Sequence, residues 1–254
     1  MNQETERLDT VNDRLRLIQK TDGITFGTDA LLLAGYIGRG YENALELGTG
    51  TGILPLLLLA REKAKKVTAL EIQEDYADLA KRNAALNGLS DRFFPRLCDV
   101  REFAPDAGES YDLVFTNPPY MKLGAGYENP VQRKNIARRE VHGTIDDFLL
   151  CAGRALNYGG TFTVVYRPDR LSPLFSAMRR AGIEPKRATF VHADAEAPAS
   201  LVLVEGRRGG GEGLYLTPPL LLFSDSTHTV GSPEMSEIDR TGSFPKKYYC
   251  QNKG

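Results

Sequence analysis

Cysteine and histidine are scarce in this chain, three of each, and neither is grouped. Cys98, Cys151 and Cys250 stand far apart with no CxxC pair. No disulfide framework is expected, and a reducing compartment suits Cys98 and Cys151 as small buried hydrophobes. His142, His192 and His228 are equally dispersed, so no metal site is expected. Net charge is nearly absent: 32 Lys and Arg against 33 Asp and Glu leave −1. No global field draws the protein to nucleic acid or membrane, and a polyanionic partner must be held by a local basic cluster. Long apolar runs are missing as well. The longest, residues 30–34 and 53–60, are too short to cross a bilayer. The polar, charged start at residues 1–7 is unlike a signal peptide. A cytoplasmic location is the expectation that these absences leave, and no internal repeat is visible.

What the 254 residues do contain is an ordinary globular composition, 41% hydrophobic and 26% charged, enough for one large α/β domain with a small appendage. From residue 43 onward strand-like and helix-like segments alternate. Strands are expected at residues 44–47, 66–70, 93–97, 111–115, 161–166, 187–192 and 200–205. Helices are expected at 53–63, 74–87, 146–156 and 172–181, with Gly88 closing the second and Thr144 capping the third. Strands separated by helices of this length predict right-handed crossovers and a doubly wound, mostly parallel seven-stranded sheet. Residues 1–40 read as a lead and an apolar helix over the sheet, 41–206 as the main domain, and 207–254 as a C-terminal extension. That extension passes through Arg207-Arg-Gly-Gly-Gly-Glu-Gly213 into a mobile polar tail. Within the tail, Lys246-Lys-Tyr-Tyr249 interleaves charge and aromatics in the manner of single-strand nucleic-acid binders.

Two motifs carry chemistry. Asn117-Pro-Pro-Tyr120 follows the strand at 111–115, and its prolines hold the chain extended at the carboxyl edge, where open α/β sheets bind ligands. A planar amine could be gripped there by the Asn117 amide oxygen and the Pro118 carbonyl, with the Tyr120 ring to stack on. The second motif, Glu46-Leu-Gly-Thr-Gly-Thr-Gly52, is a glycine-rich strand-to-helix turn. Its glycines Gly48, Gly50 and Gly52 do not fit GxGxxG, which would require glycine at Ile53, and Glu46 would repel a pyrophosphate but could hold an ammonium. That favours S-adenosylmethionine over a dinucleotide. Glu71, ending the second strand, is suited to ribose hydroxyls. Asp99, beside Val100 after the third, is suited to an adenine amino group or else to capping a helix.

On these residues the chain resembles the class I S-adenosylmethionine-dependent methyltransferases with an NPPY motif, and within them the bacterial tRNA1(Val) adenine-37 N6-methyltransferases. Phe26-Gly-Thr-Asp29 before the apolar helix, Ala137-Arg-Arg-Glu140, Arg167-Pro-Asp-Arg170 and Pro218-Pro-Leu220 add to the likeness. The resemblance implies a Rossmann-like fold and methyl transfer to an adenine N6 in tRNA. It further implies a cofactor site of Thr28, Glu46, Gly48, Gly50, Gly52, Glu71, Asp99, Val100 and Asn117, and a catalytic shelf of Asn117, Pro118 and Tyr120. Arg133, Lys134, Arg138 and Arg139, in the long segment after the shelf, stand where an RNA backbone would be gripped. Arg167, Arg170, Arg179 and Arg180 could widen that surface. The same shelf serves enzymes that methylate protein glutamine, but those resemble this chain only in the core and carry a helical amino-terminal domain. A DNA adenine or ribosomal guanine target is a weaker rival. A non-catalytic binding module predicts a damaged shelf or loop, and both motifs are whole.

Overall fold

The computed structural model describes residues 5–21, 27–118 and 143–249. It begins with elements the sequence reading did not foresee. β1 (Glu6–Asn12) and β2 (Leu15–Lys20) form an antiparallel hairpin. Asn12 makes its turn, because its side-chain oxygen accepts the amides of Arg14 and Leu15 at 2.9 and 3.0 Å. Leu15 and Leu17 alternate inward and are buried.

The main sheet follows: α1 (Thr28–Tyr36), β3 (Tyr41–Leu47), α2 (Ile53–Ala60), β4 (Ala64–Glu71), α3 (Glu74–Leu86), β5 (Phe93–Leu97) and β6 (Tyr111–Thr116). Next come α4 (Ile145–Ala155), β7 (Leu156–Tyr166), α5 (Leu171–Arg180), β8 (Ile183–His192) and β9 (Ala199–Arg208). These seven strands lie in the order β8-β9-β7-β6-β3-β4-β5. All are parallel except β9, which runs antiparallel to both neighbours. The doubly wound, mostly parallel expectation therefore holds. Thr144 caps α4 in a reciprocal capping box with Asp147, as its position in the sequence suggested.

Strand side chains alternate between two cores. Leu113 and Phe115 of β6 face α1, α2 and α3, whereas Val114 faces α4 and α5. α2 is apolar on every side, and residues 53–59 are all buried, because the sheet covers one flank and β2 and α1 cover others. Topologically the chain moves outward from β3 through β4 to β5, then returns to the other side of β3 with β6. The reversal between β3 and β6 opens a crevice at their carboxyl ends, where such sheets hold ligands.

Residues 207–249 do not trail from the sheet as a polar tail. β10 (Tyr215–Leu216) and β11 (Leu220–Leu221) pair with β8, and α6 (Pro233–Thr241) returns the chain to α1. Ile238, Phe244 and Tyr248 are buried there, and Phe244 meets Tyr36 and Tyr248 edge to face, each at 5.2 Å. The organiser is Arg187 of β8, buried at 2% exposure. It donates to Tyr248 O (2.9 Å), Tyr36 O (3.0 Å) and Glu205 (2.7 Å), with its guanidinium over the rings of Tyr36 and Tyr249. Within the Lys246–Tyr249 pattern the aromatics serve packing, with Tyr248 inside, while Lys246 and Lys247 are exposed and Lys247 pairs with Glu234.

Candidate active site

Three chain segments meet at the crevice: the turn after β3, the end of β6 and the start of α1. The turn is built by backbone conformation. Gly48, Gly50 and Gly52 all have φ in the left-handed region (+75°, +55° and +85°). Gly52 is doubly constrained, since a Cβ there would stand 2.8 Å from the Phe93 ring. Nothing lies within 4 Å of a Cβ at Gly50, so the turn has an open side. The amides of Gly48 and Thr49 both donate to Leu70 O, at 2.9 and 3.0 Å, which fastens the turn to β4.

Two carboxylates flank it. Glu71 is 5% exposed; its oxygens accept the Gly50 amide (2.8 Å) and the Gln73 amide (3.0 Å), each with a second lone pair remaining. Glu46 is 1% exposed and accepts the Thr49 hydroxyl. Burial pushes its pKa well above the usual carboxylate range and the charge of Glu71 adds to this, while the Thr49 hydrogen bond opposes both. No cationic side chain pairs with Glu46 among the described residues. The chemistry of this donor set fits S-adenosylmethionine: a buried carboxylate for an ammonium, a second for hydroxyls, and a turn open to close approach.

Asn117 leaves β6 on the opposite wall. Thr116, fully buried, donates its hydroxyl to Leu47 O at 2.7 Å and so ties the ends of β6 and β3 together. Glu46 lies in register with Phe115, one strand across and two residues before Asn117. Asn117 is half-buried and its Nδ2 donates to Asp29 Oδ2 at 3.1 Å; Pro118 is buried behind it. Thr28 is exposed as the first residue of α1, beside Asp29.

Asp99 faces its own turn: it accepts the Arg101 amide at 2.9 Å and pairs with the Arg101 guanidinium, next to buried Val100. The residues that follow form a turn and no helix, so Asp99 holds that turn in place of the helix cap its position suggested. Tyr120, Arg133, Lys134, Arg138 and Arg139 lie outside the described residues. Of the other arginines, Arg179 pairs with Glu184, Arg180 with Asp146 and Arg167 with Asp169, so a salt-bridged surface accounts for all three.

Two participants escaped the sequence reading. Asp29 stands in Phe26-Gly-Thr-Asp29, and only its contact with Asn117, 88 positions away, gives it a role. Asn83 of α3 is fully buried and makes three bonds: it accepts the Ile18 amide (2.7 Å) and donates to Ile18 O (3.0 Å) and Thr51 O (2.9 Å). It thereby ties the hairpin to the glycine turn. An amide on the face shared with Leu79 and Ala80 was the available signal. Among the described residues no group of three or more His, Cys, Asp and Glu could hold a metal, and no helix is long and apolar enough to cross a membrane.

Comparison with known proteins agrees with this geometry. A family model described as the methyltransferase small domain matches residues 21–180. The tRNA1(Val) (adenine(37)-N6)-methyltransferase of Phocaeicola vulgatus is 28% identical over 193 residues, covering 76% of this chain and 78% of that protein. The protein of the same name from Dickeya chrysanthemi is 31% identical over 188 residues, 72% of this chain and 73% of the other. Among solved structures, a predicted O-methyltransferase from Agrobacterium tumefaciens shares the fold with a TM-score of 0.70. Its identity is 23%, over 88% of this chain and 99% of that one.

Proposed function

The chain belongs to the methyltransferase small domain family, and from that premise we infer that it transfers a methyl group from S-adenosylmethionine to the exocyclic N6 amine of an adenine in tRNA. The nucleotide is anticodon-loop adenine 37 of tRNA1(Val), the substrate in the name its relatives carry. One observation carries the reading: the Asn117 amide stands one strand from Glu46, at the mouth of the crevice between β6 and β3.

When bound, S-adenosylmethionine supplies a methyl group activated by a sulfonium. Glu46 would hold the ammonium as a charged carboxylate, and Glu71 would accept the ribose hydroxyls. Gly48, Gly50 and Gly52 let the backbone come close, and Thr28, Asp99 and Val100 complete the wall.

The chain's own contribution to the reaction is made by the shelf. An exocyclic adenine amine is a poor nucleophile because its lone pair is delocalised into the ring. Asn117 Oδ1 and the Pro118 carbonyl accept its two N–H bonds, localise that pair and aim it. As the new N–C bond forms, the bond from that methyl to sulfur breaks with its electron pair left on the sulfur; positive charge grows on the nitrogen, and the same two carbonyl dipoles stabilise it until a proton leaves to solvent. Orientation of this kind supplies about 7–11 kcal/mol at best, without metal or strong base. Tyr120 stacks on the base, a contact of about 1–3 kcal/mol, once the base is splayed out of the loop. Arg133, Lys134, Arg138 and Arg139 grip the phosphates, the local basic cluster that a protein of net charge −1 requires.

Asn117→Ala tests the assignment. Transfer to tRNA should fall to a small residual rate while S-adenosylmethionine binding, measured by calorimetric titration, stays near the parent value. Loss of binding with the substitution would mean that Asn117 holds the cofactor and not the target.

A further inference from the structure

We propose that Asp29 is a positioning residue, which fixes the arm of the Asn117 amide that meets the target and so makes the shelf selective for nitrogens that carry hydrogen. The proposal rests on the reading of Asn117 given above. Asp29 and Asn117 are 88 positions apart in sequence, yet Asn117 Nδ2 donates to Asp29 Oδ2 at 3.1 Å. The other carboxylate oxygen, Oδ1, accepts the Ala30 amide at 2.9 Å in the first turn of α1. One end of the carboxylate is therefore set by the helix and the other is set against the amide.

A carboxylate accepts hydrogen bonds and has none to give, so this contact works with the amide in one orientation only, Nδ2 toward Asp29 and Oδ1 away. The reversed amide would set oxygen against oxygen. Two neighbours make the arrangement stiff. Gly27 precedes the helix, and a Cβ at that position would lie 2.8 Å from Asp29 Oδ1, so glycine leaves the carboxylate its place. Beneath the amide, the buried Thr116 hydroxyl bonds to Leu47 O and holds the strand end still.

The chemical consequence is a shelf whose polarity is set from behind. With Oδ1 turned away from Asp29, it and the Pro118 carbonyl are the two acceptors that the reading above assigns to the target. An exocyclic amine, which donates two N–H bonds, satisfies them; a ring nitrogen presenting only a lone pair is repelled. The charge on Asp29 also strengthens the N–H···O contact and polarises the amide, which makes Oδ1 the better acceptor.

The test is Asp29→Asn, which keeps the shape but lets the Asn117 amide take either orientation. Turnover on tRNA, kcat, should fall about tenfold or more, the usual scale for a hydrogen bond to a charged group. S-adenosylmethionine affinity should not change. In an Asn117→Ala background the same substitution should cause no further loss of the residual rate, since both act through one amide. Asp29→Ser, whose hydroxyl can still accept the Ala30 amide, should be as slow as Asp29→Asn. The Asn117 side-chain amide resonance, followed by NMR in the cofactor-free protein, should shift with Asp29→Asn. Unchanged turnover, a fully active Asp29→Ser, or equal losses with and without Asn117 would overturn the proposal and assign Asp29 to the helix alone. An unshifted resonance would overturn it too. That resonance also separates two failures: a parent protein that methylates no RNA refutes the functional reading, while the contact is judged by the shift.

Discussion

Replacing Glu46 by glutamine keeps the side chain's shape and its acceptor for the Thr49 hydroxyl but removes its charge. Burial, and then the charge of Glu71, hold the Glu46 pKa well above the usual carboxylate value in the folded protein. The folded state therefore binds the more protons between that usual value and the raised one. Stability of the cofactor-free protein should fall as pH rises through this window, and the stability that Glu46 contributes is intact only below it. Glutamine has no proton to lose, so Glu46→Gln should be more stable than the parent at neutral pH, and its stability should lose that part of the pH dependence. Binding should move the opposite way. An uncharged amide gives up a charge-assisted hydrogen bond of about 1.5–3 kcal/mol, which weakens S-adenosylmethionine binding about 10- to 100-fold. Thermal unfolding from pH 4 to 8 (roughly the span from the ordinary carboxylate pKa to neutrality), with parallel calorimetric titration of the cofactor, reads both quantities. A variant less stable at neutral pH, or one that binds S-adenosylmethionine as tightly as the parent, would refute the reasoning.

Other substitutions probe the elements that surround the crevice. Arg187→Leu removes donors from Tyr36 O, Tyr248 O and Glu205. With Glu205 partly solvated, the cost should be about 2–4 kcal/mol. Hydrogen exchange should then accelerate around residues 244–249; an unaltered Tm would show that the C-terminal segment holds itself in place. Asn83→Ala leaves the Ile18 amide and carbonyl and Thr51 O without their partner, at about 1–3 kcal/mol for each buried group left unsatisfied. Exchange in the hairpin and a weaker cofactor affinity should appear together, and loss of one alone would contradict the tie between them. Neutralising Arg133, Lys134, Arg138 and Arg139 together should weaken tRNA binding and flatten its salt dependence while S-adenosylmethionine binding persists. An unchanged salt slope would exclude these side chains as phosphate contacts.

The alternation of strands and helices was legible because each element carries its own period. Leu113, Val114 and Phe115 point to alternate cores as a buried strand must. Thr144 and Asp147 form the capping box that their spacing permits. The glycine turn and its two carboxylates could be read for the same local reason, since φ > 0 and strand-end acids leave marks within a few residues. What escaped is non-local. The polar residues after Phe223 look like a tail until Arg187, on β8, is seen to bind Tyr248 O and to stack on Tyr249. The hairpin depends on Asn83, 65 positions from Ile18, and the shelf's orientation depends on Asp29, 88 positions from Asn117. No periodicity in a single sequence records such pairs. Asp99 shows the converse: a strand-end acid with two local readings, which the structure places against Arg101.

The central claim, methyl transfer to an adenine N6 in tRNA, is met most directly by incubating the purified protein with methyl-labelled S-adenosylmethionine and total bacterial tRNA, then digesting the RNA and identifying the labelled nucleoside. The account predicts label in N6-methyladenosine, mapped to position 37 of tRNA1(Val), and only a trace of it with Asn117→Ala. Label on protein, on a ring nitrogen, or in no RNA would contradict it.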